Sequence, residues 1–322
     1  MIRGFAAALG PALVFTIGAV PMEASGHPGR GLIVGHERAV YVPDAVRSIV
    51  WRMREGVPVS ILASDVHAHW LALVDGTETS VDRIFAEIVR YDAASEKFFQ
   101  RIVRLSGDGR AIGMLPENKE GRQIANCFLV SRDGLFYCAP DSDPPSICRR
   151  SVARDPASPL CETPLVISGD DGAPRFGSIT SMAWAADGAI SFSDGAGIHI
   201  VAPSGRVKTI VSAVGADAEP PQHPGPMKAG ELWGLAWFAG TMFTTEPHAR
   251  RILKVSDDGR ITTLLRSEAP WFPTGVAVRE GDIYVLEHGL EDERNIGPRV
   301  RILTVDGEVR EVGIVSEQDV PD

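Results

Sequence analysis

The chain has 322 residues, of which 44% are hydrophobic and 23% charged, and it carries a formal net charge of −10. That composition suits a soluble protein with a sizeable core. The acidic balance argues against nucleic acid or an anionic membrane as partner, since either needs a basic face.

Arg3, an apolar run from Phe5 to Val20, Pro21 and the small residues Ala24-Ser25-Gly26 open the chain. They have the form of a secretion signal covering residues 1–26. Residues 27–322 then form the mature domain, expected in a periplasm or outside the cell. The apolar run is short for a spanning helix, and no later stretch is long and apolar enough to cross a bilayer.

Beyond the signal, short apolar strands alternate with turn residues. Val-Tyr-Val-Pro-Asp44 ends in an acid, and Ser48 to Leu62 forms a hairpin about Glu55-Gly56. After Asp65, His67-Ala68-His69 puts two imidazoles on one side of a strand, a candidate metal pair. The predicted register sets that pair near a tight turn, away from the long connections. Leu-Ala-Leu-Val-Asp75 repeats the acid ending. Gly76 to Phe99 is expected to be an insertion: Thr79 and Asp82 can open a helix, and Ile84, Phe85, Ile88, Val89 and Tyr91 stand near helical spacing. A strand pair about Ala93-Ala94-Ser95 is the alternative. Arg101 to Leu115 is a hairpin with its turn at Asp108-Gly109.

Cys127, Cys138, Cys148 and Cys161 follow. An oxidising compartment favours disulfides, and four cysteines allow three connectivities. Two local bridges are expected, Cys127 to Cys138 around Arg132-Asp133-Gly134 and Cys148 to Cys161 around Arg154 to Pro159. No CxxC spacing or neighbouring histidine supports a metal site there.

Self-similarity organises the rest. Ser181 to Asp194, Gly234 to Glu246 and Gly275 to Glu287 align as apolar strand, glycine turn, apolar strand and acid. Looser copies end at Asp44, Asp75 and Asp141, making six. A second hairpin follows, and Arg251 to Leu265 matches Arg101 to Leu115 almost position for position, with further copies at Ile198 to Val211 and Val300 to Val312. Period-2 strands joined by DG, EG and SG turns are hairpins. The predicted fold is all-β: a six-bladed β-propeller with four antiparallel strands per blade. The acids that end the second strands are read as acceptors that order the following turn.

In such blades the first-to-second and third-to-fourth turns share one rim, and these are tight, as at Gly134, Gly188, Gly240 and Gly281. The longer connections, Gly76 to Phe99, Pro116 to Gly121, Ser168 to Gly177, Ser212 to Gly230, Ser267 to Pro273 and His288 to Pro298, fall on the other rim. Function is expected on that looped face. Inner strands starting near Asp65, Asn126, Ser181, Trp233 and Thr274 place those residues around the channel mouth, joined by Trp271, His248 and His288. His223 lies in the Pro-, Ala- and Gly-rich stretch from 212 to 230. No GxSxG elbow, HExxH or P-loop pattern occurs.

Pro273 to Val278, Ile283 to Glu287, Val300 to Leu303 and Asp306-Gly307 together resemble an NHL-type blade. The whole chain is similar to the broad six-bladed group of NHL proteins and the senescence-marker/gluconolactonase family. That resemblance implies a propeller and, for the lactonases, a divalent metal held at the channel mouth by Glu, Asn and Asp. Carried onto this chain, those positions fall on Leu32, Ser181 and Thr274, so Asp65 and Asn126 remain as candidate ligands for Ca²⁺ or Mg²⁺. Glu287-His288-Gly289 also resembles a short motif of quinoprotein sugar dehydrogenases.

The expectation is an exported, monomeric recognition propeller that binds a small ligand or a protein on its looped face. The alternative is a metal-dependent lactonase or esterase with His248 or His288 as proton acceptor. A quinoprotein sugar oxidoreductase ranks third. No cofactor is specified by the residues themselves.

Overall fold

The computed structural model describes residues 28–74, 82–92, 94–114, 126–140, 142–151, 163–169, 174–214, 230–291 and 294–320. The expected signal segment, Asp75, Asp141, Cys161 and His223 lie outside them. Strand residues here bury both of their faces. Val50 packs toward one neighbouring sheet, while Ile49, Trp51 and Met53 pack toward another. This two-sided burial stacks the sheets around an axis.

The first blade contains β1 (Ile33–Val34), β2 (Val40–Asp44), β3 (Ile49–Arg54) and β4 (Val57–Ala63). The second contains β5 (Ala68–Val74), β6 (Arg83–Asp92), β7 (Lys97–Leu105) and β8 (Ala111–Gly113). The third contains β9 (Cys127–Val130), β10 (Leu135–Ala139), β11 (Ser146–Ser151) and β12 (Thr163–Ile167). The fourth has β13 (Ser181–Trp184), β14 (Ile190–Ser193), β15 (Ile198–Val201) and β16 (Val207–Val211). The fifth has β17 (Leu235–Phe238), β18 (Thr241–Glu246), β19 (Arg251–Ser256) and β20 (Ile261–Arg266). The sixth has β21 (Trp271–Arg279), β22 (Asp282–Glu291), β23 (Arg294–Leu303) and β24 (Val309–Ile314).

Each blade is a four-stranded antiparallel sheet in sequence order, six in all. The first strands touch in a closed circuit, β1 to β5, β9, β13, β17, β21 and back to β1. The protein is a six-bladed β-propeller, and no helix among the described residues is long and apolar enough to cross a membrane.

The sixth and first blades meet through side chains. Trp51, Val42, Tyr284, Leu286 and Val300 share one buried cluster. Arg38 bridges to Asp282 and Glu280, both at 2.9 Å, and Arg47 donates to the Gly297 carbonyl at 2.6 Å.

Two expectations are corrected. Gly76 to Phe99 is not a helical insertion, because residues 83–92 and 97–105 are the paired strands β6 and β7. Ile84, Ala86 and Ile88 face the first blade's cluster while Phe85 faces the third blade's. Apolar residues on both sides of one strand imitate helical spacing. β5 is therefore a first strand, so Asp75 follows the wrong strand to serve as a blade acid. Cys127 and Cys138 are buried free thiols, not a bridge. The register pairs Cys138 with Phe128 and Cys127 with Ala139, so the two thiols point to opposite faces of the sheet. Burial pushes the Cys138 thiol up to about 12. Cys148 is not a free thiol, and its expected partner Cys161 lies outside the described residues.

Asp44 and Asp194 accept backbone N–H groups and order their turns, whereas Glu246 and Glu287 pair with arginines of the following strand. Asp44 accepts from Arg47 and from Trp51 Nε1 at 3.1 Å. Burial alone would raise Asp194, but bonds from His199, Gly177 and Gly197 outweigh it and bring the carboxyl down to about 2. Glu246 pairs with Arg251. Glu287, fully buried, pairs with Arg299 at 2.7 Å and Arg301 at 2.8 Å and accepts from Ser267. Glu287→Ala strands two partly buried guanidinium groups and is expected to cost about 3–5 kcal/mol in chemical denaturation. A loss below about 1 kcal/mol would show that the hub is dispensable.

Candidate functional site

The turns at Gly109, Gly134, Gly188, Gly205, Gly240, Gly259, Gly281 and Gly307 gather on one rim, each glycine at positive φ. At the opposite rim β8, β12 and β16 end and β9, β13 and β17 begin. Two wider gaps fall on the tight rim, between β5 and β6 and between β11 and β12. His288 to Pro298 is not a loop. Its residues extend β22 and β23 into a projecting hairpin in which Trp271 pairs with Gly289.

At the looped rim the inner strands converge. A Cβ on Gly234 would stand 2.8 Å from Val276 N, and one on Gly275 would stand 2.7 Å from the Arg30 carbonyl. These positions require glycine because neighbouring backbones approach there. The residue before each such position is presented at the mouth: Arg30, His69, Asn126, Thr180, Trp233 and Thr274 in blade order. Thr274 and His69 occupy matching bulges, between Pro273 and Gly275 and between Ala68 and Trp70.

Arg30 is central. Its guanidinium lies 4.5 Å from the centroid of the Trp233 ring, a cation–π contact. Burial lowers its pKa from the usual value, opposed by the fields of Glu231, Cys127 and Glu87. Glu87 comes from β6 and is 1% exposed. Burial pushes its carboxyl up to about 8, against hydrogen bonds from the Gln100 side chain and the His69 backbone and the charge of Arg30. Three buried polar atoms here, Trp233 Nε1, Thr274 Oγ1 and Glu87 Oε2, have no hydrogen-bond partner. Below Arg30 and Trp70 runs a channel cavity of about 470 Å³ that ends near Trp184, Phe238 and Glu280 at the tight rim.

The other expected site residues distribute as follows. Asn126 precedes β9, half-buried, its N–H donating to the Ala139 carbonyl at 2.9 Å. Ser181 is fully buried and shares a hydrogen bond with Ser193 at 2.7 Å. Asp65 is exposed in the turn between β4 and β5. Trp271 packs beneath the Arg299 guanidinium at 4.2 Å in the projecting hairpin. His248 lies in the turn from β18 to β19 with Nδ1 buried and unpartnered. His288 is buried near Asp44 and Arg47 at the seam between the sixth and first blades. Trp233, Thr274 and Asn126 thus share the mouth register, whereas Trp271 and His288 belong to the hairpin and the seam. His67 and His69 stand at the start of β5 on the looped rim, opposite to the rim expected for them.

Sequence reasoning missed Arg30, His69 and Glu87 as mouth residues. Arg30 had a signal: Gly31-Leu32 repeats Gly234-Leu235, and the residue before the glycine is the one presented. Glu87 was hidden inside the segment taken for an insertion.

No family model and no curated protein matches the chain by sequence. Solved structures do match by shape. The PQQ-bound aldose sugar dehydrogenase of Streptomyces coelicolor aligns with a TM-score of 0.52 and 13% identity over 81% of this chain and 89% of its own. A gluconolactonase from Xanthomonas campestris gives 0.52 and 12% over 81% and 84%. A chain of a nidogen/laminin complex gives 0.53 and 12% over 84% and 91%. The shared feature is the propeller fold. At this identity the likeness carries architecture, not activity.

A lactonase-type metal needs several oxygen ligands, more than one of them anionic. The residues do not fit that need. The mouth positions in blades four and six hold threonine, Asp65 is out in an exposed turn, and no three His, Cys, Asp or Glu side chains cluster among the described residues.

Burial holds the His288 imidazole down to about 4, with Asp44 raising it and Arg47 lowering it. The folded state therefore refuses a proton that the unfolded chain accepts below about 6.5. Stability is expected to fall as pH drops from about 6.5 toward 4, by on the order of 3 kcal/mol. His288→Gln should flatten that slope in denaturation series, and an unchanged slope would refute the assignment.

Proposed function

We propose that this propeller binds a small hydroxylated carboxylate at the looped mouth of its channel, over Arg30. The observation that carries the reading is the set of unpartnered buried atoms, Trp233 Nε1, Thr274 Oγ1 and Glu87 Oε2, around the half-buried Arg30 guanidinium. Buried polar groups without partners cost free energy, and each calls for a ligand or ordered water to satisfy it. Guanidinium, indole N–H and hydroxyl form a donor-rich set, which suits an acceptor-rich ligand. Arginine also reads carboxylates in bidentate fashion. A flat protein surface would leave these recessed atoms unused, so a small molecule is favoured over a protein partner. The gluconolactonase and sugar dehydrogenase among the similar structures are named for sugar-derived substrates, in keeping with this class. Export through residues 1–26, and a Cys148–Cys161 bridge formed after it, belong to the same proposal.

Thr274→Val separates this reading from a purely structural one. Removing an unsatisfied hydroxyl is expected to stabilise the free protein by about 1–2 kcal/mol. The same change should weaken binding of sugar acids in a thermal-shift panel, and Arg30→Met should abolish it. Phe238→Ala, at the tight rim, should leave binding intact. If no sugar acid raises the melting temperature, or the shifts persist in both mouth variants, the proposal fails.

A further inference from the structure

We propose that His67 and His69 form a chelating site for one divalent transition-metal ion, zinc or copper(II), at the looped rim of the second blade. The two Nε2 atoms face each other at 2.9 Å, with ring centroids 4.8 Å apart and planes at 76°. The other edge of the His67 ring is occupied. The Ala45 backbone carbonyl hydrogen-bonds the His67 ring. With Nε2 turned to His69, Nδ1 is left for that carbonyl, which accepts only from N–H. On His69, Nδ1 lies 3.9 Å from Glu87 Oε2, too far for a hydrogen bond. The Ala45 contact puts the His67 proton on Nδ1 and its lone pair on Nε2, so His69 Nε2–H is the donor between the rings. A divalent cation that displaces that one shared proton gains both nitrogens as ligands.

Tetrahedral zinc holds imidazole nitrogens at about 2.0–2.1 Å, which separates two of them by roughly 3.3 Å. The rings need to part by only a few tenths of an ångström to admit the ion. Imidazole nitrogens select zinc, copper or nickel over calcium and magnesium, which take oxygen ligands. The His69 side chain is 20% exposed and His67 is half-buried, so an ion has access and water can complete its coordination. Strand geometry supplies the spacing, since residues two apart project from the same side of β5. This site uses neither Arg30 nor Trp233 and does not depend on the ligand proposed above.

The test is titration of chelator-treated full-length protein with Zn²⁺ by calorimetry and with Cu²⁺ by electron paramagnetic resonance. One ion per chain is expected, with superhyperfine splitting from two nitrogens on the copper signal and no heat from Ca²⁺. His67→Ala and His69→Ala should each weaken binding by at least about tenfold. Their melting temperatures without metal check that the blade still folds, and the more conservative His69→Gln replaces any variant that does not. Trp233→Phe should leave metal binding unchanged. Absence of Zn²⁺ and Cu²⁺ binding, a copper signal without nitrogen splitting, or binding that survives both histidine substitutions would overturn the site.

Discussion

Six inner strands can converge on one axis only where their side chains leave room for backbones to meet. Gly31, Gly234 and Gly275 provide that room, since a Cβ at any of them would lie within 3 Å of a neighbouring strand's backbone. The constraint sets the geometry of everything above it. Once the glycine position of each inner strand is pinned to the ring, the preceding residue has to emerge at the mouth. That is how Arg30, Trp233 and Thr274, far apart in sequence, come to share one register. A larger residue at Gly275 would displace the Arg30 carbonyl and with it the residue that centres the site.

Closure of the ring draws on a different resource. Each blade is built from four consecutive strands, so the sixth and first blades are joined by packing and charge. The apolar part is substantial, with Trp51 and Tyr284 among the largest fully buried side chains. The polar part is buried too: Asp44, Glu287 and His288 lie at or beside this seam, and the two acids have cationic partners. Paired buried charges contribute little net stability but penalise misalignment heavily. At a seam without shared strands, that penalty helps fix the angle at which the last blade meets the first.

The propeller was legible because its repeat is written in residues whose roles are local. Glycines at positive φ mark the turns, alternating apolar residues mark the strands, and an acid ends the second strand of most blades. The second blade escaped because its acid position is filled by Ile88, one residue past the partner of Trp70. Without that marker, two-sided burial of β6 looked helical. The cysteines were misread for a related reason. Proximity across a turn suggested a bridge, but a one-residue offset in pairing sends neighbouring thiols to opposite faces. The mouth was legible in part. Trp233, Thr274 and Asn126 follow from the register, whereas Arg30 required recognition of a two-residue inner strand, and Glu87 required the true course of the second blade.

Polar groups in this molecule separate into two kinds by what satisfies them. Asp44, Asp194 and Glu287 find arginine, tryptophan or histidine within their own blade, and Glu246 does so through one of its two oxygens. Trp233 Nε1 and Thr274 Oγ1 are as deeply buried, yet the chain supplies them no partner. A fold that gives Asp44 and Glu287 several partners each could satisfy an indole and a hydroxyl by the same means. Valine at 274 or phenylalanine at 233 would remove the cost altogether. Their retention at the one place where all six blades converge is more economically explained by a guest than by packing.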